Sequence, residues 1–124
     1  MLILENYIQE FTDEEKEACL PIIEQIIFMS ELARREGILV LERLMPSIEN
    51  KFFWLAIDLI VSAYEQEVLE DFLNNLLISG NYKGKELLER LIITVGVLSI
   101  RNGDNPRSIK EKLLALFGEK NYTL

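Results

Sequence analysis

Residues 85–117 read KELLERLIITVGVLSIRNGDNPRSIKEKLLALF. From Leu91 to Ile100 no residue is charged. A helix over Lys85 to Arg101 is therefore apolar on every side in its second half, and must lie at the centre of a bundle or between copies of the chain. Its first turns are charged, with Glu86 and Arg90 spaced as an i,i+4 pair. Gly96 falls in the middle, where a missing side chain lets another helix come close. Asn102-Gly103 closes this helix, glycine standing where helices commonly end. Asp104 or Asn105 is the N-cap of the next, and Pro106 takes its first position. That last helix is amphipathic through Ile109, Leu113, Leu114, Leu116 and Phe117, and stops at Gly118.

The same signals extend toward the N-terminus. A short amphipathic helix is predicted from Leu2 to Phe11. Thr12-Asp13-Glu14-Glu15 reads as a capping box opening another. Pro21 removes an internal hydrogen bond and predicts a break or kink there. Apolar spacing resumes at Ile22 and continues through Ile38, Leu41 and Met45, which favours one long helix with Gly37 inside it over a helix that ends at Gly37. After Pro46-Ser47 comes the most apolar helix, Ile48 to Tyr64. Its polar residues Lys51, Asp58 and Ser62, with Glu65 beyond, form one narrow stripe, so Phe52, Phe53, Trp54 and their neighbours are expected inside. A further helix covers Gln66 to Ile78, and Ser79 to Gly84 reads as a loop. The expected fold is all-α: a compact bundle of five or six helices in one domain, residues 1–124, with 1–24 an acidic helical segment at its front.

Composition narrows the function. The chain has 124 residues, one cysteine and no histidine. A Ser-His-Asp triad, a histidine-based zinc site and a histidine pH switch are excluded, as are an internal disulfide and a multi-cysteine metal site. The net charge is −8, which opposes wrapping nucleic acid or an anionic membrane. Residues 1–50 carry eleven acids and four bases, and residues 51–124 ten acids and nine bases. The acidic front half suits either a basic protein surface or plain solvation. The longest uncharged runs, Phe72 to Tyr82 and Leu91 to Ile100, are too short for a bilayer, which needs about 18–20 apolar residues. The start has no signal-peptide pattern, so the cytoplasm is the expected location.

No stretch assembles a catalytic constellation. Glu14-Glu15 and Glu70-Asp71 are sequence neighbours, which do not face each other on a helix. Cys19 lacks a histidine to activate it and has apolar neighbours, as a buried small residue would. The loop around Gly80 and Gly84 lacks the spacing and the preceding strand of a phosphate-binding loop. Trp54 reads as core or, if exposed, as an interface anchor. The chain is expected to be no enzyme and to need no cofactor and no metal.

Three stretches carry a family resemblance: Glu31 to Glu42 (ELARREGILVLE), Ala56 to Tyr64 (AIDLIVSAY) with Val68 to Leu73 (VLEDFL) after it, and Gly96 to Leu113 (GVLSIRNGDNPRSIKEKL). In this order they resemble the cytoplasmic parts of the flagellar motor stator A subunit (MotA). The likeness covers roughly residues 25–117, and the Gly-Asp-Asn-Pro-Arg turn with its capped helix is its most specific part. The family's membrane helices have no counterpart. Only Ser79 to Lys85 stands where the second pair would be, and Val95 replaces a family glutamate. The resemblance implies a soluble, non-conducting interaction protein whose partners are the flagellar rotor switch protein or stator components. It also implies partner-binding residues: Arg34 and Glu42 match a rotor-facing arginine and glutamate. On one continuous helix they would share a face about 12 Å apart. The alternative is a generic helical oligomerisation or adaptor module unrelated to motility. Either way, the apolar helices at Phe52 to Val61 and Leu91 to Ile100 predict a homo-oligomer.

Overall fold

Thr12 starts the first helix of the computed structural model, which describes residues 10–119. The Thr12 hydroxyl accepts from the Glu15 amide at 3.1 Å, and the Glu15 carboxylate accepts from the Thr12 amide at 2.9 Å. Each side chain satisfies a donor that the first turn would leave unpaired. Helix α1 (Asp13–Ala18) ends at Cys19, and α2 (Leu20–Glu36) begins with Pro21 in its first turn. The break predicted at Pro21 is there, placed where proline's missing N–H costs nothing. The helix expected over Leu2 to Phe11 falls outside the described residues, except that Glu10 and Phe11 are not helical.

The long helix expected to run past Gly37 to Met45 does not form. Gly37 has φ 91° and ψ 157°, and α2 stops before it. The chain turns and runs as a 3-10 segment, Ile38–Ser47, whose Val40, Leu41 and Met45 are buried. This segment packs against both α2 and α3, a placement that a straight continuation of α2 cannot reach. The apolar spacing was real, but it serves two neighbours and not one face.

Asn50 caps α3 (Lys51–Val61), its side-chain oxygen accepting from the Phe53 amide at 3.0 Å. Phe52, Phe53, Ala56 and Ile57 are buried. Trp54, expected inside, is 39% exposed, because it shares the stripe of Lys51 and Asp58. Helix α4 (Gln66–Gly80) runs two residues further than expected and ends on Asn81, whose φ of 50° is left-handed. Helix α5 (Gly84–Asn102) follows after a short turn, so the predicted loop shrinks to Asn81, Tyr82 and Lys83.

The α5 helix is the axis of the fold. It packs against all five other α-helices and carries more buried residues than any of them. Leu88, Ile92, Ile93 and Val97 are fully enclosed. Each fully buried Leu or Ile contributes about 1.5–3 kcal/mol, so this one helix supplies a large share of the hydrophobic stabilisation. Its Gly96 faces Ile26 of α2: a Cβ there would stand 2.8 Å from Ile26 Cγ2. The close approach anticipated at Gly96 thus belongs to α2 of the same chain. The apolar residues Leu91 to Val97 of α5, apart from the half-buried Val95, are buried within the chain itself.

The Glu86–Arg90 pair is also replaced. The Arg90 guanidinium donates to the Glu86 carbonyl at 3.2 Å, approaches the Glu89 carboxylate at 3.7 Å and lies 4.2 Å from the Tyr82 ring centre. Asn50 donates to Glu89 at 2.8 Å. This cluster ties the start of α3 to the start of α5.

Helix α5 ends as its sequence predicts. Gly103 has φ 80°, its amide donates to the Ile100 carbonyl at 3.0 Å, and the Asp104 amide donates to the Ser99 carbonyl at 3.1 Å. Asn105, not Asp104, caps α6 (Pro106–Ala115), accepting from the Ser108 amide at 2.8 Å. Six α-helices and a 3-10 segment make the described chain all-helical. None of those helices is long and apolar enough to cross a membrane.

Candidate functional site

Arg34 sits in the last turn of α2 and Glu42 on the 3-10 segment, both exposed. Gly37 lies between them and ends the helix, so they do not share a helical face and the 12 Å spacing expected for one helix does not apply. They are two separate charged points on two elements.

The structure brings Arg34 together with something else. Its Nη1 donates to the Gly103 carbonyl at 3.5 Å, a long bond across sixty-nine residues of sequence. The turn at Asn102 to Arg107 is thereby set against the end of α2. A groove of about 250 Å³ runs between them, lined by Ser30, Arg34, Gly37, Ile38, Ile100 and Gly103 among others. Ser30 is only 2% exposed, and its hydroxyl has no hydrogen-bond partner among the described residues.

On the other side of the same turn is a polar network that sequence reading did not single out. Lys112 of α6 pairs with the Asp104 carboxylate and also donates to the Ser99 hydroxyl at 3.4 Å. Asn102 donates to the other Asp104 oxygen at 2.8 Å, and the Ser99 hydroxyl donates to the Val95 carbonyl at 2.8 Å. Gln66 of α4 donates to the Leu98 carbonyl at 3.3 Å, leaving its own carbonyl oxygen buried without a partner. These residues line a second groove of about 370 Å³ between α4, α5 and α6. The one sequence signal was Asp104 as a candidate cap. Asn105 takes that role, which frees the Asp104 carboxylate for Lys112, eight residues on.

The Lys112 hydrogen bond holds the Asp104 carboxyl below the usual carboxylate range, against the opposing effect of partial burial, with Asn102 adding to the shift. A lowered folded-state pKa means the pair stabilises above the unfolded value of about 3.9 and stops doing so as pH falls through the folded value. Lys112 remains half in water, so Asp104→Asn is expected to cost no more than about 1 kcal/mol at pH 7. The cost should shrink at acid pH, as the wild-type carboxyl becomes protonated on passing its lowered folded-state value. Urea unfolding at neutral and at acid pH measures this, and an equal cost at both would assign the effect to packing.

Cys19 is fully buried. Burial, and then the nearby Glu89 carboxylate, push its thiol up to about 11. At neutral pH it is a protonated, inert side chain, as its apolar neighbours suggested. Among the described residues no three His, Cys, Asp or Glu side chains are grouped to hold a metal ion.

Comparison of the chain with protein-family models, curated proteins and solved structures finds no match.

Proposed function

We propose that this chain is a non-enzymatic protein–protein interaction domain, a MotA-like partner of the flagellar motor that docks on the rotor switch protein or on stator components and conducts no ions itself. The observation that carries the reading is the turn from Asn102 to Arg107. It is the most family-specific stretch of the sequence, and the residue in contact with its Gly103 carbonyl is Arg34, from the first resembling stretch. Two segments distant in sequence, each resembling the same family, meet at one edge of the molecule. Arg34 and Glu42 remain exposed and on different elements, which suits two separate ion pairs to a partner.

Binding of the wild type to a purified rotor switch protein at two salt concentrations tests this. Arg34→Glu or Glu42→Lys should each move stability by less than about 0.5 kcal/mol, as surface substitutions usually do. Each should weaken binding several-fold, mainly through the association rate, and reduce its salt sensitivity. A charge reversal on the partner should restore it. A folded wild type that fails to bind at either salt concentration refutes the motor reading and leaves the generic adaptor. Binding indifferent to both reversals keeps the partner and removes these two residues from its interface.

A further inference from the structure

Helix α4 packs inward through Leu69, Leu73 and Leu77, against α5 and α3. Its opposite face is open and not uniformly polar. Val68 is 48% exposed, Phe72 37% and Ile78 58%. At about 100° per residue, Val68 and Phe72 form one edge of this face, and Glu67 and Asp71 the other, with Ile78 on the acidic side near the C-terminal end. The face from Glu67 to Ile78 spans about three turns, roughly 16 Å. Helix α4 contains three acids and no base, and Glu67 and Asp71 form no ion pair with the described residues.

We propose that this outer face of α4 docks a basic amphipathic helix from another protein, with apolar residues meeting Val68, Phe72 and Ile78 and lysines or arginines meeting Glu67 and Asp71. Exposed side chains at i and i+4 are the pattern by which one helix seats another. Charge selects the occupant. A second copy of this chain, with a net charge of −8, would set acids against acids on the same face. A basic helix would neutralise them and cover the apolar edge at once. This surface is distinct from the edge where Arg34 meets the Gly103 turn, and it stands whether or not the partner there is a motor protein.

The test uses the full chain and a synthetic amidated peptide of leucine and lysine, its leucines spaced i, i+3, i+4 and i+7. Two control peptides accompany it: an isomer of the same composition with strict Leu-Lys alternation, and a leucine–glutamate analogue. The amphipathic basic peptide should bind and both controls should bind far more weakly. Val68→Ser with Phe72→Ser, and separately Glu67→Lys with Asp71→Lys, should each weaken binding at least about tenfold. The charge variant should also flatten the salt dependence. Glu24→Lys with Glu31→Lys makes the same charge change on the exposed side of α2 and should alter binding by less than about twofold. Thermal unfolding checks each variant; if the serine pair fails to fold, the charge pair decides. Three results overturn the proposal: no binding by the wild type, an equal loss in the α2 control, or a wild-type dimer that Phe72→Ser dissociates, which would make the occupant a second copy.

Discussion

Gly96→Leu is expected to cost about 3 kcal/mol of stability, the upper part of the range for overpacked cores, and to do so at any protein concentration. The cause is local. A Cβ at this position already comes within 2.8 Å of Ile26 Cγ2 and 2.9 Å of its Cδ1, and leucine adds three carbons beyond it. Either α2 is pushed away from α5, which exposes Ile23, Ile26 and Met29, or both side chains leave their preferred rotamers. Combining Gly96→Leu with Ile26→Ala should cost at least about 1 kcal/mol less than the sum of the two single changes, because each supplies the space the other needs. Urea titrations at two protein concentrations read all of this. A cost that grows on dilution would move the contact from within one chain to between two, and a cost below about 0.5 kcal/mol would mean that α2 and α5 do not meet here.

Gly37→Ala is expected to destabilise by about 1–3 kcal/mol, although nothing lies within 4 Å of the added methyl. With φ 91° and ψ 157°, the residue occupies backbone space that an L side chain makes strained. The sign of the effect is the informative part. In a helix running uninterrupted from Ile22 to Met45, the same change would stabilise by about 1 kcal/mol, the difference in helix propensity between glycine and alanine. The measured direction therefore decides between a turn at Gly37 and a straight helix. Under the proposed function the turn also bears on partner binding. Straightening it would swing the 3-10 segment off α3 and carry Glu42 to a different place relative to Arg34, so partner binding should fall with stability in this variant. Unchanged binding in a destabilised variant would show that Glu42 need not be held where the turn puts it.

Local chemistry by itself determined four of the helix boundaries and the fold class. The capping box at Thr12, the break at Pro21, the glycine stop at Gly103 and the proline start at Pro106 each depend on atoms within about four residues, so the sequence contains their full cause. The all-round apolar run from Leu91 to Ile100 likewise forces a central helix, since only neighbours on every side can hide it. What tertiary structure alone decided is where similar local options lead. A glycine within an apolar periodic run can continue a helix or end it; at Gly37 the packing of Val40, Leu41 and Met45 between α2 and α3 chose the turn. That choice separated Arg34 from Glu42 and set Arg34 against Gly103. Lys112 reaches Asp104 only because α6 folds back along α5, and Trp54 is exposed only because no element covers the outer stripe of α3. Gly96 announced a close approach, but whether Ile26 or a second chain would fill it depended on helices seventy residues apart coming together, and periodicity within one helix carries no information about that partner.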